Sequence, residues 1–169
     1  LAENPPIDLA NVVAGFNFDR VLPTGKTKDM AVIGYGASEL EDYLEEELEK
    51  QGRYINPDPN PEKGYFYRSD HISFAKKGVP VLYSDDGFDL EDGGIEKGFN
   101  EIYDYTNFRY HGVDDEYDPS WNLEGFEQTI NTIFNISLDL SNSSDWPNWY
   151  EGNEFRATRD AQLSLKNTP

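Results

Sequence analysis

A single α/β domain is what this sequence predicts, and three observations predict it. Short apolar runs rich in β-branched and aromatic residues, at 11–21, 30–33 and 79–83, have the length and composition of buried strands. Stretches with helical spacing lie between and after them: Leu40, Tyr43, Leu44 and Leu48 form one apolar face, and Leu123, Phe126, Ile130, Ile133 and Phe134 a second. At 169 residues, the chain suffices for one domain with a sizeable core and crowds two.

Composition narrows the function. With 33 acidic against 14 basic residues the formal net charge is -19, which repels nucleic-acid phosphates and anionic lipid rather than attracting them and excludes nucleic-acid binding. The same excess also suits a surface solvated in salty surroundings. There is no cysteine, so a metal would have to be held by carboxylates and the two histidines, a donor set that suits a catalytic rather than a structural site. No apolar run approaches membrane-spanning length. The opening LAENPPIDL has neither an initiator methionine nor a signal-like segment, and reads as the interior of a longer protein.

The run at 11–21 (NVVAGFNFDRV) suits a central strand buried on both faces, with Asp19 near its carboxyl end. Ligands gather at that end of α/β sheets, so Asp19 is a site candidate; a salt bridge to Arg20 or a turn cap accounts for it equally well. Residues 30–33 make a second strand. Ser38 and Glu41 have capping-box spacing before the first helix, which should stop near Gly52. Its run Glu45, Glu46, Glu47 reads as a solvated face, because adjacent helical residues point in different directions. The proline-rich 56–61 (NPDPNP) can be neither helix nor central strand.

In 64–87 (GYFYRSDHISFAKKGVPVLYSDDG), Ser69 can cap a short helix, Gly78 can end it in a left-handed turn, and 79–83 follows as a strand. Ser69, Asp70 and His71 are the residue types of a hydrolase triad, but consecutive residues cannot form that relay and no G-x-S-x-G elbow exists. His71 reads instead as a hydrogen-bonded structural residue. Residues 85–94 (DDGFDLEDGG) fail the calcium-loop pattern in either register and read as a flexible acidic loop. Residues 107–118 (NFRYHGVDDEYD) show neither helical nor strand period. There His111, with Asp114, Asp115 and Glu116 behind it, is either a metal ligand with supporting carboxylates or a surface histidine. The pattern turns helical from Ser120, breaks at 145–149 (DWPNW), and resumes in a last amphipathic helix over 151–165. Asn135-Ile136-Ser137 and Asn142-Ser143-Ser144 match the glycosylation sequon, which carries meaning only in a secreted eukaryotic protein.

Four passages, NFDRV, RSDHISFAKKGVPVLY, YHGVDDEYDPSW and WPNWYEGNEFRATRD, together resemble the M28 family of co-catalytic zinc aminopeptidases, in its bacterial secreted or envelope branch. The resemblance implies an α/β/α sandwich with a mixed, mostly parallel sheet, of which residues 1–169 are the carboxyl-terminal part of one catalytic domain. It implies two zinc ions held by five ligands, of which Asp19 matches the fourth, serving one zinc, and His111 the last, serving the other. It places Tyr65, Phe66, Tyr67, Arg68, Ser69, Asp70, His71, Tyr110 and Asp115 in the substrate pocket or behind the ligands. Phe66 occupies the position where some relatives carry an oxyanion-binding tyrosine. The remaining ligands and the glutamate base are expected in an amino-terminal half, as is a signal peptide for a secreted, periplasmic or cell-envelope location. Glu45 and Glu46 follow Asp19 in a helix and cannot replace that glutamate. A peptide substrate follows, with these residues alone inactive and prone to self-association into dimers or aggregates. A non-catalytic binding domain on the same fold, and a carboxypeptidase or glutaminyl cyclase relative, are the alternatives.

Overall fold

The computed structural model describes residues 1–20 and 22–166. Four strands, β1 (Gly15–Asn17), β2 (Asp29–Val32), β3 (Tyr54–Pro57) and β4 (Val81–Asp86), form one sheet in the order β1-β4-β2-β3. The β1/β4 and β2/β3 ladders are parallel and β2/β4 antiparallel, so the sheet is mixed and mostly parallel. Helices α1 (Leu40–Lys50) and α4 (Glu124–Asn142) cover one face. There Leu40, Leu44, Leu48, Ile133, Ile136 and Leu140 pack on Met30, Val32 and Leu82. On the other face lie α2 (Ile72–Ala75) and α5 (Arg156–Lys166), around Val79 and Val81 and around a fully buried Trp149. Helix α3 (Gly94–Phe108) leads from β4 to the segment carrying His111.

Helix α1 forms as its spacing requires, with Leu40, Leu44 and Leu48 on one buried stripe. Half of the expected capping box is present. The Glu41 carboxylate reaches back to accept from the N–H groups of Gly36, Ala37 and Ser38, while the Ser38 hydroxyl makes no capping bond. Gly78 adopts the left-handed conformation expected of it, at φ 91°.

Several expectations are corrected. The strand at 11–21 shortens to Gly15–Asn17 and is a half-buried edge, since β4 is its only partner among the described residues; Val21 lies outside them. Asp85 and Asp86 belong to buried β4 and not to an acidic loop. The reason is local compensation. Asp86 accepts from Leu22 N–H and from the Thr129 hydroxyl at 2.7 Å, and Asp85 lies 3.4 Å from Arg20. The rest of that acidic stretch runs into α3, which has no counterpart in the sequence reading.

Helix α4 is present but rotated from its expected face. Gly125, Thr129, Thr132, Ile133, Ile136 and Leu140 point inward, while Leu123, Ile130 and Phe134 are exposed and Phe126 is half-buried. Polar contacts set the rotation. Thr129 serves Asp86, Thr132 meets the buried Arg53 guanidinium at 3.2 Å, and a Cβ on Gly125 would collide with the Gly25 carbonyl oxygen. Among the described residues no helix is long and apolar enough to cross a membrane.

Candidate functional site

Asp19 follows β1 by two residues, so it shares a sheet face with Asn17 and with Tyr83, which pairs with Asn17 in the parallel register. Its carboxylate is exposed yet held on both oxygens. Tyr83 Oη donates to Oδ2 at 2.8 Å and Asn17 Nδ2 donates to Oδ1 at 3.2 Å. Asn17 Nδ2 also donates to Ser69 Oγ at 3.0 Å, so the expected α2 cap is engaged across the sheet instead. Asp19 makes no ion pair with its neighbour Arg20, which turns to Asp85.

His71 sits behind Tyr83 in an apolar box. Its ring lies 4.6 Å from Phe66 and 4.9 Å from Tyr83, between centroids, and neither ring nitrogen has a hydrogen-bond partner. The expected hydrogen-bonded histidine is therefore a packed one. Burial holds it neutral, its pKa lowered to about 4 although Asp19 and Asp70 pull the other way. Burial likewise raises the Tyr83 pKa, keeping its hydroxyl a donor.

His111 lies on an exposed turn after α3 and is the one non-glycine residue with positive φ among those described, at 58°. Asp115 clamps the turn, accepting from His111 N–H at 3.1 Å and from Tyr105 Oη at 3.0 Å. Tyr110 stacks on the His111 ring at 3.8 Å. Such strain persists only where surrounding contacts impose it.

The site residues thus form three groups. Asp19, Asn17, Ser69, His71 and Tyr83 meet at the carboxyl end of β1. Tyr105, Tyr110, His111 and Asp115 form the second group. Tyr65, Phe66 and Tyr67 line a pocket of about 310 Å³ with Gly34, Asp58 and Glu154, where Tyr67 donates to Glu154 at 2.9 Å. Phe66 joins this pocket to the first group through His71. Asp70 and His71 line a smaller cavity of about 260 Å³ along β1, and Arg68 is exposed. No hydrogen bond or ion pair joins Asp19 to His111 among the described residues. Arg20, next to Asp19 in the chain, pairs with Asp85.

Asp19 and His111 supply an oxygen and a nitrogen donor of the kinds zinc takes, both open to solvent, and no hydrogen bond occupies the His111 ring nitrogens among the described residues. In donor chemistry each is of a kind a zinc site uses, and the structure places them in separate groups. Among the described residues no three His, Asp or Glu side chains gather into a metal cluster. The sequence does not mark Asn17, Tyr83 or Tyr105 as site residues; only the two-residue step from Asn17 to Asp19, on one face of a strand, signals the first.

The model of peptidase family M28 matches residues 1–136, a span that includes Asp19, the 65–71 segment, His111 and Asp115. The WPNWYEGNEFRATRD passage lies beyond it. No curated protein and no solved structure matches the chain.

Proposed function

The chain belongs to peptidase family M28, and from that premise we propose that Asp19 and His111 each ligate one of two zinc ions in a centre that removes amino-terminal residues from peptides. The observation that carries this reading is the solvent-open Asp19 carboxylate at the carboxyl end of β1, oriented on both oxygens within the family-matched span. Zinc, when bound, supplies a Lewis acid for the scissile carbonyl and acidifies a water towards neutrality.

This chain's part is to hold and orient. Tyr83 and Asn17 fix the Asp19 carboxylate, and Asp115 fixes the turn that presents His111. The aromatic pocket of Tyr65, Phe66 and Tyr67 receives the substrate side chain and sheds water from it. Phe66 has no hydroxyl to offer a developing oxyanion. The remaining ligands and the base come from a segment outside these residues, so the isolated 169 residues hydrolyse no aminoacyl substrate.

The test compares hydrolysis of aminoacyl anilides by the full natural protein, with and without a chelator, against Asp19→Asn and His111→Ala. Chelator-sensitive activity lost in both variants supports the reading. Activity that survives both substitutions, or activity in the isolated 169 residues, refutes it.

A further inference from the structure

We infer that Tyr83, backed by Asn17, is a positioning residue that sets the Asp19 carboxylate for one metal ion of the pair; the inference rests on the ligand reading of Asp19. Three observations converge on it. The Tyr83 side chain is 5% exposed, yet its hydroxyl ends on an exposed carboxylate at 2.8 Å. The ring cannot swing away, because His71 packs against it at 4.9 Å and Phe66 packs on His71 in turn. The second carboxylate oxygen is held by Asn17, which Ser69 tethers in turn, so rotation of the Asp19 side chain breaks two hydrogen bonds at once.

A carboxylate held this way keeps its remaining lone pairs aimed in one direction. Partners of this kind, lying behind a ligand, raise metal affinity by pre-orienting the donor. His71 contributes only as a wall, since neither of its nitrogens bonds to anything. Because Asp19 serves one ion and His111 the other, the effect of Tyr83 should fall on a single binding step.

The test is a zinc titration of the full natural protein, stripped of metal, in competition with a chromophoric chelator. Tyr83→Phe keeps the ring between His71 and Asp19 and removes only the donor. It should weaken one zinc step about 10-fold and leave the other step and the metal-free melting temperature unchanged. Asp19→Asn should abolish that same step. Two unchanged steps in Tyr83→Phe, beside a lost step in Asp19→Asn, overturn the positioning role alone. Weakening of both steps together with a lower metal-free melting temperature overturns it too, because that marks a purely structural residue. Two intact steps in Asp19→Asn overturn the ligand reading and this inference with it.

Discussion

Asp85→Asn removes one buried charge and reads its cost through pH. Asp85 is 6% exposed in β4; Oδ2 lies 3.4 Å from Arg20, and Oδ1 has no hydrogen-bond partner. Burial raises its pKa from the ordinary 3.8 to about 6, outweighing the pull of Arg20. The folded protein therefore holds this proton more tightly than the unfolded chain does. That contribution to stability is fully present below the ordinary value and is lost as pH rises through about 6. The gap corresponds to about 3 kcal/mol. Asparagine titrates nowhere in this range and still offers Arg20 an acceptor. The stability of Asp85→Asn relative to wild type should therefore rise by about 2 kcal/mol between about pH 4 and pH 7, most of that full difference. Urea unfolding of both proteins across that range measures it, and subtracting the two curves cancels groups remote from Asp85. A difference that stays flat, or that grows towards acid, would refute the claim that desolvation outweighs Arg20.

Other substitutions probe the packing and the surface. Thr129→Val takes a 2.7 Å hydrogen bond from the buried Asp86 carboxylate, and chemical denaturation should show a loss of about 1.5–3 kcal/mol; an unchanged midpoint would mean that water replaces the hydroxyl. Leu44→Ala opens a cavity at a fully buried position between α1 and the sheet and should cost about 2–5 kcal/mol by the same assay, with a loss under about 1 kcal/mol contradicting the packing described. The 169-residue chain exposes Leu123 at the N-cap of α4, Ile130, Phe134 and Leu138 on α4, Ile95, Phe99 and Tyr103 on α3, and, among the described residues, an unpaired edge of β1. Sedimentation velocity should show concentration-dependent self-association; a monodisperse monomer at all concentrations would show that these surfaces are not sticky.

Elements were legible in the sequence where burial followed from apolar side chains alone. The leucines of α1, the apolar start of β4 and the left-handed Gly78 all lie where their spacing places them. Reading failed where polar residues are buried in each other's company. Asp85 and Asp86 look like a loop until Arg20, Thr129 and the Leu22 N–H reach them from segments distant in the chain. The face of α4 was misjudged for the same reason, because Thr129 and Thr132 bury hydroxyls to serve Asp86 and Arg53. At the candidate site, residue types marked Asp19 and His111 as donors, whereas the donors around Asp19 come from strand pairing, which no local pattern encodes. His71 shows the converse error: a polar side chain was assigned a hydrogen bond and instead packs between two aromatic rings.

The most direct test of the central claim is an anomalous difference map from crystals of the full natural protein grown with zinc, recorded at the zinc absorption edge. The account predicts two peaks, one about 2.0–2.2 Å from an Asp19 carboxylate oxygen and the other about 2.0–2.1 Å from a His111 ring nitrogen. Zinc peaks that contact neither residue would contradict it.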